Sequence, residues 1–473
     1  MTTKSEPPAR SSRRATWWAT AAVLTVAAVL LASQWLLARH AALWTHASMR
    51  TVADVLPLVA LLGFPGLLAL IVIPTWLRQT PSTATLAAML GVGLLMRFVW
   101  YGAPAPLEDD FYRYLWDGAV VVAGGNPYAL SPAEVIAAKV LPPALVPLAE
   151  TAKGVLAHIN FPEMTSIYPG AAQLAFGLAH HLSPLSLDGL RFVFFLAEVA
   201  ALVALWALLR DLGRPPLAAA LYWLNPLVVW SSHATVHSDA LLPAFLLGAC
   251  LFAWRGRHVL SAVLLAGAVG VKIWPVLLAP LLGRRMWAAG RVPVVPALVF
   301  GGLTGLLLLP LGLSALAGMR SGLVAYSDDW WNNNAAYAWV SYGVYHVFGE
   351  SRLALRLLRL ATAIAIGLLA LQVARHPPKA LREMLGSAAI VSAALFYLSP
   401  TEFPWYALWF IGFAAALECR PLLLASATLA VYYVVFPLSL QGKLFVHLYY
   451  VAALHALPVW LWLALEWRRQ RTL

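Results

Sequence analysis

Apolar runs dominate the chain, and their lengths set the first expectation. They recur near Trp17–Leu37, Val52–Leu77, Ala84–Tyr101, Leu187–Leu209, Leu217–Trp230, Leu241–Trp254, Val259–Leu282, Val292–Leu316, Ala335–Phe348, Leu353–Val373, Leu385–Leu398, Pro404–Leu417, Leu422–Phe436 and Phe445–Leu465. Many approach the roughly 20 residues that a helix needs to cross the hydrocarbon core of a bilayer. The pattern predicts an all-α, polytopic membrane protein with roughly 11–14 membrane segments. No internal repeat is visible.

Polar stretches interrupt this pattern in a few places. The first 16 residues, with Pro7, Pro8, Arg10, Arg13 and Arg14, read as a disordered cytoplasmic tail. The run after them is too long for a signal-peptide core, so residues 17–473 form one membrane domain. A loop is expected at 103–166 and a second at 318–336. The first is much longer than an ordinary connection, and loops of that length tend to carry function. Tyr168–Leu182 is apolar but short.

Composition strengthens the membrane reading. The chain is 62% hydrophobic and 11% charged, whereas a soluble domain carries about 25% charged residues. Mean hydropathy is +0.77. The net charge of +12 fits cytoplasmic loops and anionic headgroups rather than nucleic acid. Cys250 and Cys419 cannot form a disulfide framework.

Charge also orients the chain. A basic start places the amino terminus in the cytoplasm, and three spans then put 103–166 outside. If Tyr168–Leu182 does not cross, Arg210, Arg214, Arg255 and Arg257 all fall inside, and the gap containing His237 and Asp239 falls outside. That version satisfies more charges. Lys272-Ile-Trp-Pro275 interrupts Val259–Leu282, which is flanked by arginines at both ends. A broken hairpin tipped at Lys272 would keep both flanks inside; a simple crossing is the alternative.

The densest chemistry lies in Glu108-Asp-Asp-Phe-Tyr-Arg-Tyr-Leu-Trp-Asp-Gly118, followed by Gly125-Asn-Pro-Tyr128. In a helix, Asp110, Arg113, Tyr114 and Asp117 share one face. A carboxylate here can serve as general base toward a sugar hydroxyl, or can hold a divalent cation such as Mg2+ or Mn2+ through oxygen. Asp109 and Asp110 could divide those roles. The plainer alternatives are a helix cap at Glu108 or Asp109, an intrahelical partner role for Arg113, and a turn at Asn126-Pro127.

Further candidates lie at span ends. His237 and Asp239 lie in the polar gap after Asn225-Pro226, either as functional groups or as an interfacial cap. Lys272 would either meet a phosphate or pair with an acid such as Glu198. Asp328-Asp-Trp-Trp-Asn-Asn-Asn334, with Trp331 and Asn332, suits sugar stacking or interfacial anchoring. Pro404-Trp405-Tyr406, preceded by Glu402, is of the same kind. No Cys or His metal pattern, P-loop or Gly-x-Ser-x-Gly elbow is present.

Taken together, Asp109–Gly118 with Gly125–Tyr128 resembles the first outer loop of bacterial GT-C glycosyltransferases. The nearest group is the polyprenyl-phosphate-sugar-dependent mannosyltransferase-like enzymes. Tyr168-Pro169, Asn225-Pro226 with His237-x-Asp239, Lys272 with Pro275, Trp331/Asn332 and Pro404-Trp405-Tyr406 follow in the family's order. The resemblance covers about Pro104 to Tyr406. Two spans precede the motif where the minimal pattern has one, and the Trp-Trp-Asn-Asn-Asn register is displaced.

The resemblance implies a multi-pass enzyme of the bacterial inner membrane with an extracytoplasmic site. It implies transfer of a hexose, mannose first, from a polyprenyl-phosphate donor to a hydroxyl of a cell-envelope glycan or glycolipid, with inversion. It makes Asp109 and Asp110 the catalytic candidates, Asp110 favoured by its helical face. Arg113, Tyr114, Asp117, Asn126, His237, Asp239, Lys272, Trp331, Asn332, Trp405 and Tyr406 become substrate-binding candidates. Lys272, Arg97 or Arg113 would meet the leaving phosphate. Metal dependence stays open. A transporter or flippase of lipid-linked sugars is the rival class, and a non-catalytic assembly subunit a third.

Overall fold

The computed structural model describes residues 10–77, 82–138, 140–288, 293–317, 321–322 and 330–471. The structure is 78% helical, with no strand among the described residues. The chain is therefore an all-α membrane protein.

The principal helices are α1 (Arg10–Arg39), α2 (Val52–Trp76), α3 (Thr83–Phe98), α4 (Asp110–Val122), α5 (Gly170–Leu182), α6 (Leu187–Asp211), α7 (Leu242–Trp254), α8 (His258–Val271), α9 (Val294–Ala317), α10 (Ala335–Phe348), α11 (Arg352–Val373), α12 (Leu381–Leu398), α13 (Leu408–Leu417), α14 (Arg420–Thr428) and α15 (Ala452–Arg471). Polar caps start several of them. Thr51 accepts from Asp54 N while Asp54 bonds back to Thr51 N, closing a capping box on α2. Ser82, Ser186 and Ser351 cap α3, α6 and α11.

Among the described residues, eight helical segments are long and apolar enough to cross a membrane, or nine if one bent pair counts as a span. Thr83–Phe98, His258–Val271 and Pro404–Leu417 are shorter apolar helices. Apolar run length alone could not tell a straight crossing from a broken one.

Two of the expected runs prove to be broken. Pro226–Ala234 and Ser238–Trp254 meet at a bend of 119°, so the stretches expected as separate spans near 217–230 and 241–254 belong to one folded-back unit. A π-helical turn at Trp230–Ala234 leads into the bend. Val236, a β-branched residue, takes φ +55° there, a conformation such residues rarely adopt.

The Val259–Leu282 run breaks as well. α8 stops at Lys272, whose backbone is extended, and a short turn at Trp274–Leu278 redirects the chain into Ala279–Ala288. Arg285 returns to lie over the ring of Trp254 at 4.6 Å, and Met286 shares a cleft with Gly256 to Val263. The segment is thus a hairpin with both ends at one level and Lys272 at its tip, one of the two readings that the flanking arginines left open.

α5, at 13 residues, rises about 20 Å and is too short to cross alone. It packs on α4 closely enough that a Cβ on Gly118 would stand 2.3 Å from Phe176 O. The 103–166 segment carries α4 and short helices at Pro132–Ala137, Val146–Thr151 and Lys153–Leu156. A small apolar cluster of Trp116, Val120, Val135, Leu145, Leu156 and Ile159 holds it together.

The two ends of the bundle differ in charge. Asp188, at the start of α6, accepts from Gly102 N beside the long segment. At the far end of α6, Arg255 grips Asp211 at 2.7 and 2.9 Å, and Arg214 lies 3.4 Å from Glu418. Arg210, Arg285 and Arg382 join that basic end.

Candidate active site

The helical spacing of the acidic motif is realised. α4 begins at Asp110, with Asp109 preceding it. Asp109 stands in the capping position but makes no side-chain capping bond, so the cap alternative does not account for it. Its Oδ1 instead accepts from Asn160 Nδ2 at 2.7 Å, and the same amide reaches Asp110 Oδ1 at 3.2 Å. One side chain from the end of the long segment bridges both aspartates.

Asp110 turns toward the bend. Its Oδ2 lies 3.5 Å from His237 Nδ1. The His237 ring stacks on Trp405 at 3.5 Å with a 9° tilt, and Phe403 stacks on Trp405 in turn. Two residues on, Asp239 accepts both contacts from Lys272 Nζ, at 2.8 and 2.9 Å. Trp409 Nε1 donates to Asp239 at 2.6 Å, and the Lys272 ammonium sits 3.8 Å from the Tyr406 ring centroid. The tips of two broken elements therefore meet the start of α4 on a floor of aromatic rings.

The three adjacent acids are electrostatically distinct. Burial pushes the Glu108 carboxyl well above the usual carboxylate range, and the charges of Asp110 and Asp109 add to this. Burial and then the neighbouring Asp110 charge raise Asp109, against the Asn160 hydrogen bond. Burial alone would raise Asp110 too, but the bond and charge of His237, with Asn160 and Lys272, hold it below its ordinary value.

Other sequence candidates are internal braces. Arg113 donates to the carbonyls of Met164 and Phe161 at 3.0 and 3.2 Å. Asp117 accepts from Ser166 at 2.5 Å and Gln173 at 3.0 Å. Both fasten α4 to the end of the long segment. Tyr114 is buried against Phe176, with ring centroids 4.5 Å apart. Asn126 closes a turn by accepting from Tyr128 N, which is the plainer of its two readings. Lys272 pairs with Asp239 rather than Glu198; Glu198 is held by Arg97 at 2.7 Å, both buried.

The second loop reaches the site through its described end. Asn332 exchanges backbone hydrogen bonds with Pro400 and Glu402, and Asn333 Nδ2 donates to Glu402 O at 2.8 Å. Glu402 itself is buried against His455 at 3.0 Å. Trp331 packs on Tyr337 and Tyr449, whereas the Trp330 ring packs on Phe161 beside Asn160. Tyr326, Asp328 and Asp329 lie outside the described residues.

Sequence reading missed Asn160, Trp409 and His46. Asn160 precedes Phe161-Pro162, a turn signal in a loop crowded with such signals. Trp409 lies one helical turn beyond Trp405. His46 contacts the carbonyl of Leu107 at 2.7 Å, just before the acids. Strained backbone marks the same places: among the described residues Leu107, Phe161, Val236 and Asn333 all have φ near +50° to +60°.

Among the described residues, no group of three or more His, Cys, Asp or Glu is arranged to hold a metal ion. Asp109, Asp110 and Asp239 are instead held by Asn160, His237 and Lys272.

One comparison with known proteins bears on this geometry. A family model described as alpha-(1->6)-mannopyranosyltransferase, N-terminal domain, matches residues 14–289, more than half of the chain. No curated protein and no solved structure matches it. The matched region contains α4, Asn160, the bend and Lys272.

Proposed function

We propose a mechanism for a chain that belongs to the alpha-(1->6)-mannopyranosyltransferase family, a GT-C mannosyltransferase family. The chain is a mannosyl-transferring enzyme, which decides against a transporter or a non-catalytic subunit. Our reading is that it takes mannose from a polyprenyl-phosphate donor and delivers it to a hydroxyl of an envelope glycan or glycolipid. The observation that carries this is the convergence of Asp109, Asp110 and His237 on one side with Lys272 on the other.

The two aspartates divide the work. Asp109, whose carboxyl is raised, takes the proton from the acceptor hydroxyl. Asp110 stays ionised, orients His237 and raises the basicity of Asp109. The acceptor oxygen bonds to the anomeric carbon as the bond from that carbon to the phosphate oxygen breaks, with inversion. The electron pair leaves with the polyprenyl phosphate. Lys272 has three N–H donors; two face Asp239 and one remains for a phosphate oxygen. No acid is needed for a leaving group that departs as an anion. Trp405 and Tyr406 form the floor that positions His237 and Lys272.

The site end faces the extracytoplasmic side in this reading. Support comes from the arginine-rich opposite end, which the positive-inside rule assigns to the cytoplasm.

The test uses purified protein in sealed vesicles of determined orientation, with labelled polyprenyl-phosphate mannose and a mannoside acceptor. Transfer requiring donor on the face of the α4 loop supports the proposal. Absence of transfer from any polyprenyl-phosphate donor would refute the donor assignment.

A further inference from the structure

At the basic end, a cleft lies at the base of the Lys272 hairpin among the described residues. Gly256, Arg257, His258, Val259, Leu260 and Val263 line this cleft of about 560 Å³ together with Met286, Pro293 and Pro296. The lining is mostly apolar. Arg257 is exposed at its rim.

Several cations nearby are already engaged. Arg255 is bound in two bonds by Asp211, Arg214 has Glu418, Arg210 has Asp211 at 3.8 Å, and Arg285 lies on Trp254. Arg257 has no ion pair or side-chain hydrogen bond among the described residues. An uncompensated guanidinium above a slot of Val, Leu and Pro is complementary to an amphiphile with an anionic head and apolar tails.

We propose that this cleft holds an anionic phospholipid of the surrounding leaflet. The phosphodiester meets Arg257, and an acyl chain lies along Val259, Leu260, Val263 and Pro296. The lipid thereby bridges the two arms of the hairpin to the start of α9. It secures the base of the element whose tip presents Lys272. The inference does not depend on the donor assignment, because the cleft lies at the opposite end of the molecule from the aspartates.

The experiment is native mass spectrometry of the full-length protein in detergent. Equimolar phosphatidylglycerol and phosphatidylcholine of identical chains compete, with soluble glycerol phosphate as a third arm. One arginine near an anionic surface is worth about a fivefold preference, so the wild type should retain phosphatidylglycerol about fivefold over phosphatidylcholine. Arg257→Gln should abolish that preference, whereas Arg420→Gln, an exposed arginine outside the cleft, should keep it. Val263→Trp should fill the slot and reduce the bound lipid of either head. Equal retention of the two lipids by wild type, or an unchanged preference in Arg257→Gln, overturns the proposal. Displacement by soluble glycerol phosphate as effective as by phosphatidylglycerol would likewise overturn it, by showing a free-phosphate site.

Discussion

Lys272 donates to both carboxylate oxygens of Asp239, at 2.8 and 2.9 Å, and so ties the tip of one broken helix to the bend of another. Each partner lies where a straight helix would have carried its charge into lipid. The pair joins the two breaks. It also means that removing either charge has a structural cost separate from chemistry.

A double-mutant cycle separates the two. Lys272→Met leaves Asp239 buried without its counter-ion and should cost about 3 kcal/mol of stability. Lys272→Met with Asp239→Leu should recover most of that loss in a thermal unfolding assay in detergent. Mannosyl transfer should stay low in the double variant. Activity returning with stability would remove the phosphate role of Lys272.

The bend depends on a second buried pair. Arg97 and Glu198 meet at 2.7 Å, Ser232 donates to Glu198 at 2.9 Å, and Arg191 donates to His233 O at 2.7 Å. These contacts hold the π-helical turn that leads to His237. Glu198→Gln should destabilise by about 3 kcal/mol, since it strands the Arg97 charge, and transfer should fall with it. A variant with unchanged melting and unchanged transfer would show that the pair does not support the bend.

Close packing of α4 on α5 gives a prediction that involves no charge. Gly118→Ala would press its methyl group against Phe176 O, 2.3 Å from the Cβ position. Overpacking of this kind costs roughly 1–3 kcal/mol. The melting temperature should drop, and the donor concentration at half-maximal rate should rise as α4 moves.

Much of this architecture could be read from the chain. The run lengths announced a helical membrane protein, and arginines at both flanks of Val259–Leu282 left a hairpin and a simple crossing as the two readings. Asp110, His237, Asp239 and Lys272 were all candidates before their proximity was known. Hydropathy could not reveal the 119° bend, because a folded-back helix is as apolar as a straight one. Nor could spacing separate Asp110 from Asp117. Both lie on one face of α4, yet one meets His237 and the other is buried under Ser166 and Gln173. Asn160 was invisible because an amide has no characteristic spacing from the acids it bridges.

The acidic pair predicts a pH signature. Asp109 must be deprotonated to act, so transfer should rise with pH through a pKa above the ordinary 3.8. Asp110→Asn removes the negative charge that raises Asp109, and the acidic limb of the rate profile should move to lower pH. Asn160→Ala removes a bond that lowers it, and the limb should move to higher pH. Shifts in the same direction for both variants would contradict this division of roles.

The most direct measurement is single-turnover transfer by Asp109→Asn, with donor binding measured on the same preparation. An isosteric amide keeps the shape and cannot take a proton. Donor affinity should be preserved while the transfer rate falls by about 10²–10⁴, across the whole accessible pH range. A wild-type transfer rate in Asp109→Asn would contradict the account at its centre.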